Sequence, residues 1–96
     1  MSVSDTSIVL RNAVHQLASD ARLQAGSVPM DSPQHRFFTG VMTAAEDHLH
    51  LVRAEHHDEA WLARESRDFR DGYLKASNLI GASAGHSPLR FVLPQP

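Results

Sequence analysis

The fold is decided by residues Gln34 to Ile80, QHRFFTGVMTAAEDHLHLVRAEHHDEAWLARESRDFRDGYLKASNLI. This stretch contains no proline, and only Gly40 and Gly72 interrupt residues that favour helix. As one straight helix it would run roughly 70 Å at 1.5 Å per residue. A compact domain of this length has a radius of gyration near ~12–13 Å. The helix must therefore bend, or project and find a partner chain.

The apolar residues show where it would bend. At 100° per residue, Phe38, Val41, Met42, Ala45, Leu49 and Val52 gather on one side. Trp61, Leu62, Phe69, Tyr73, Ala76, Leu79 and Ile80 gather on another, rotated by roughly 130°. The change of face falls across Arg53 to Glu59, so a bend near His57-Asp58 would turn both faces toward one core. A continuous helix in an oligomer is the alternative.

Upstream, Leu10, Val14, Leu17 and Ala21 recur at helical spacing and predict a first helix over about 5–25, capped by Asp5 or Thr6. Gly26 offers a left-handed C-terminal conformation. Residues 26–33, Gly-Ser-Val-Pro-Met-Asp-Ser-Pro, forbid continued helix. Ser32-Pro33 starts the next one, with serine as N-cap and proline at the first helical position. Downstream, Gly81 to Gly85 read as a flexible linker, and Pro88 to Pro94 as an extended apolar arm. That arm either folds back on its own helices or reaches another protein.

The expected fold is all-α: a helical hairpin or three-helix arrangement with an extended C-terminal arm. Residues 1–80 form the helical domain, with helices about 5–25 and 34–80, and residues 81–96 form the linker and arm. Two helices bury little apolar surface alone, so dimerisation is expected to complete a bundle.

Composition narrows the function classes. The 96 residues are 42% hydrophobic, too apolar for a wholly disordered chain, and no run reaches the ~18–20 apolar residues of a membrane span. The N-terminus does not read as a signal peptide, and the absence of cysteine removes disulfides and zinc–thiolate sites. These readings favour a cytoplasmic protein. Residues 35–80 interleave six basic with eight acidic side chains, which argues against nucleic acid as a partner. Arg64 with Asp68, Arg67 with Asp71, and Asp71 with Lys75 are spaced to neutralise one another along a helix.

Seven histidines are the compositional departure, four of them between 48 and 57. On a straight helix Glu46, His50 and His57 share one face, which makes them candidate ligands for iron or zinc. A solvated face explains the same window, with Glu46 and His50 pairing at i,i+4; a pH-responsive interface is a third reading. There is no Glu-x-x-His, no His-Glu-x-x-His, no Gly-x-Ser-x-Gly and no phosphate-binding glycine loop.

The leading functional expectation is a non-enzymatic, self-associating protein-interaction module: an adaptor, regulator or accessory subunit without a cofactor. Its partner-facing residues would be Phe37, Phe38, Trp61, Phe69 and Tyr73 on the helices, with Leu89, Phe91 and Leu93 on the arm. The alternative is an iron- or zinc-binding bundle, an oxidoreductase or metal-storage protein, built on the Glu46–Glu59 window.

Overall fold

Four caps and corners set the helix boundaries in the computed structural model, which describes residues 3–50, 57–83 and 90–96, and side chains from Ile8 onward. Within these residues the chain forms four helices and no strand: α1 (Val3–Gly26), α2 (Pro33–His50), α3 (Glu59–Ala63) and α4 (Arg67–Ala82). None is long and apolar enough to cross a membrane.

α1 buries Val14, Leu17, Ala18, Ala21 and Ala25, a stripe that repeats every three or four residues. Gly26 does not take up the left-handed conformation expected of it. The helix instead closes through Ser27, whose backbone N–H and hydroxyl both donate to the Gln24 carbonyl, at 3.1 and 2.8 Å. Ser32 then caps α2: its Oγ accepts from the His35 backbone N–H at 3.1 Å, with Pro33 as first helical residue. The His35 ring reaches back, Nδ1 donating to the Ala25 carbonyl at 2.9 Å. It thereby satisfies a carbonyl that the end of α1 leaves open.

The long helix expected over 34–80 is interrupted twice. His57 and Asp58 are not helical, and Asp58 caps α3 by accepting from the Trp61 N–H at 2.9 Å. A second interruption, which the apolar spacing does not reveal, falls at Arg64 to Ser66. Ser66 sits in extended conformation (φ −60°, ψ 156°) and accepts from the Phe69 N–H at 3.2 Å. A side-chain acceptor at each start replaces the backbone partners that a continuous helix would have supplied. The molecule measures 46 × 30 × 18 Å, well short of a 70 Å rod.

α2 is the centre. It runs antiparallel to α1, with His35 against Ala25 and the Arg11 guanidinium donating to the Leu49 carbonyl at 3.4 Å. It runs in the same direction as α4, with Arg36 against Asp68 near their starts and His48 beside Ser77 and Gly81 near their ends, and the two backbones meet without intervening side chains. A methyl built on Gly40 would collide with the Phe69 carbonyl oxygen and lie 2.9 Å from the Tyr73 nitrogen. A methyl on Gly72 would collide with the Phe37 carbonyl oxygen and lie 3.2 Å from the Val41 nitrogen. Each glycine thus sits over the carbonyl three residues before the other, which brings Cα–H groups toward carbonyl oxygens.

The core consists of the α1 stripe, Phe37, Phe38, Val41, Ala44, Ala45 and Leu49 of α2, Ala76 and Ile80 of α4, and Phe91 of the arm. The arm therefore returns to its own helices. Arg90 pairs with Asp20 of α1 at 3.0 Å, and Lys75 of α4 donates to the Gln95 carbonyl at 2.9 Å. Among the described residues, these core side chains are covered within one chain.

Candidate functional site

Asp47 on α2 is the hub of a polar cluster joining three helical segments. Its Oδ2 accepts from the Tyr73 hydroxyl of α4 at 2.8 Å and from His57 Nδ1 at 2.6 Å. Because a carboxylate only accepts, Nδ1 carries the proton in this arrangement. The His57 ring stacks on Trp61, with centroids 4.0 Å apart and planes at 19°. Trp61 in turn stands edge-on to Phe69 and Tyr73, at 5.8 and 5.4 Å. α3 is too short to be stable alone. Trp61 ties it to α4, and His57 ties its N-terminal approach to α2.

Tyr73 is the electrostatic consequence. Burial, then the hydrogen bond to Asp47, then the nearby negative charge hold its phenol well above the ordinary value of 10.0. All three oppose the tyrosinate form. Tyr73 is the only tyrosine, so its titration is directly visible. We expect the tyrosinate absorbance band of the folded protein to emerge only at pH well above 10. A group whose pKa is higher folded than unfolded gives stability that is complete below its unfolded value. That stability is lost as pH climbs from there toward the folded value. Urea midpoints should therefore fall as pH rises past about 10. Asp47→Asn should shift the band to lower pH without bringing it to the free-tyrosine position. A native titration at the free-tyrosine position would refute the cluster.

Among the described residues, clefts lie along α2 and beside the arm. Asp47 and Tyr73 line one of about 380 Å³, together with Leu10, Ala44, His48, Ser77, Ile80 and Gly81. Glu46 and His50 line a second, of about 340 Å³, facing His15 and Arg22 of α1. Glu46 there pairs with Arg22 at 3.5 Å. A third, of about 540 Å³, lies where the arm crosses α1.

Of the candidate metal ligands Glu46, His50 and His57, the first two remain neighbours, but His57 turns to Asp47, one residue further round α2. Among the described residues no three His, Asp or Glu side chains are grouped to hold a metal ion. Glu55 and His56 of the same window lie outside the described residues.

The expected partner-facing aromatics are placed differently too. Phe37 and Phe38 are 1% and 4% exposed and meet edge-to-face at 5.4 Å, with the Lys75 ammonium 5.3 Å from the centre of the Phe37 ring. They serve this chain's own core, as does Phe91. Trp61, Phe69 and Tyr73 are half-buried against one another, and Leu93 packs on the core edge. Leu89 lies outside the described residues. The helical charge pairing is rearranged as well: Asp68 meets Arg36 of α2 at 3.4 Å, while Arg64 caps α3.

Comparison with protein families, characterised proteins and solved structures finds no match.

Proposed function

We propose that this chain is a non-catalytic helical module that associates with a second copy of itself through the face where the arm crosses α1. The supporting observation is the placement of Leu23 and Val92. Single exposed apolar side chains are ordinary on protein surfaces. These two are 70% and 85% exposed and wall the same cleft, rimmed by Asp20, Gln24, Arg90 and Gln95. An apolar centre with a polar rim is the anatomy of an association surface. The rim carries one acid and one base, so two copies related by a two-fold axis meet without net repulsion.

The test is sedimentation from low micromolar to near-millimolar protein. The average mass should rise toward twice that of the chain. Burying a Leu or Val side chain contributes about 1.5 kcal/mol or more. The Leu23→Glu, Val92→Glu double variant should therefore weaken the dimer by at least about a hundredfold. A wild-type chain that stays monomeric to the highest concentration refutes the reading.

A further inference from the structure

The cleft beside Asp47 has a composition that the association surface does not use. Leu10, Ala44 and Ile80 make part of its wall apolar, while Asp47, Tyr73, Ser77 and His48 supply polar groups. Its volume of about 380 Å³ lies at the small end for ligand sites and suits a compound of about ten non-hydrogen atoms. The Asp47 side chain is only 15% exposed, and its partners are a phenol and an imidazole. The arginines that form ion pairs among the described residues, Arg22, Arg36 and Arg90, pair with other acids. A carboxylate withdrawn from water gains most from a fixed cation that also donates hydrogen bonds.

We propose that this cleft binds a small organic amine, its ammonium group against the Asp47 carboxylate and its compact apolar body against Leu10, Ala44 and Ile80. The chemistry matches donor for acceptor. An ammonium carries three donors and no acceptor. Asp47 accepts one. The Tyr73 oxygen, whose proton is given to Asp47, retains lone pairs for a second, and the Ser77 hydroxyl accepts the third. A neutral alcohol of the same shape would keep the apolar contact and lose the charge. A carboxylic acid would face Asp47 with like charge.

The experiment is a two-dimensional NMR titration of the full chain with benzylamine, benzyl alcohol and benzoate. Benzylamine should give saturable shifts at amides around Ala44, Asp47 and Ser77. The alcohol and the acid should bind at least about tenfold more weakly, as expected when a charged hydrogen bond is lost. Asp47→Asn should weaken benzylamine by a similar factor. Gly81→Leu is the second variant. Gly81 lines the cleft, and a methyl built there meets no neighbouring atom, so the larger side chain enters the space without disturbing the core. It should abolish binding while Asp47 stays in place and helix content is unchanged by circular dichroism. Equal binding of amine and alcohol, full affinity in either folded variant, or no saturable shift with benzylamine would overturn the proposal. Neither variant touches Leu23 or Val92, so the result is independent of self-association.

Discussion

Replacing Gly40 or Gly72 by alanine is expected to destabilise the protein by about 3 kcal/mol or more, the upper end of what overpacking costs. The added methyl meets a main-chain carbonyl, Phe69 for one and Phe37 for the other, and a main chain inside a helix cannot rotate aside as a side-chain tip can. Relief requires α2 and α4 to separate along the whole crossing, which loosens Val41, Ala44 and Ala76 together. For a domain of this size each kcal/mol moves the melting temperature by about 4–8 °C. The expected fall is then roughly 12–24 °C by thermal circular dichroism. Gly26 and Gly81 are the controls. A methyl at either meets open space, and alanine is favoured over glycine in a helix by about 0.5–1 kcal/mol, so both substitutions should be neutral or stabilising. Equal behaviour of all four alanine variants would show that the helices do not meet at Gly40 and Gly72.

The arm gives the second large effect. Phe91→Ala is expected to lower unfolding stability by about 3 kcal/mol, the low end for deleting a buried phenylalanine, because a segment without secondary structure can partly collapse into the space. Phe91 is 4% exposed and belongs to the same cluster as Leu17 and Phe37. The polar ties of the arm should matter far less. Lys75 to Gln95 and Arg90 to Asp20 lie at the surface, where such pairs contribute about 0–1 kcal/mol. Urea denaturation of Phe91→Ala beside Arg90→Ala separates the two contributions. If the phenylalanine variant matched wild type, the arm would not be sealing the interior.

Much of the fold can be read from spacing alone, because helix periodicity and capping are local. The α1 stripe, the Ser32-Pro33 start and the apolar change of face near His57 each involve residues within a few turns of one another. Ser66 was equally local, yet its cap lay hidden among charged residues whose i,i+4 spacing also fits an unbroken helix. The two glycines carry no such local signal. Each is simply a weak helix former until the backbone that meets it, some thirty residues away, is known.

The polar cluster was obscured for a related reason. Counting at 100° per residue through residues 46–57 put His57 with Glu46 and His50, and that count does not hold for His57, which is not helical. Asp47 stood in the same acidic and histidine-rich window with nothing to distinguish it. Tyr73 and Trp61, on separate helices, give it its role. Phe37 and Phe38 misled because adjacent residues on one helix cannot share a stripe. Both are nonetheless enclosed, since α2 has neighbours on two sides.

That last point reaches beyond the aromatics. α1 and α4 each answer chiefly to α2, whereas the eighteen residues of α2 must fit both at once. A change on either outer helix can be accommodated by one partner. A change on the central one must satisfy two surfaces together, so most of this protein's freedom to vary lies on its flanks and little in its spine.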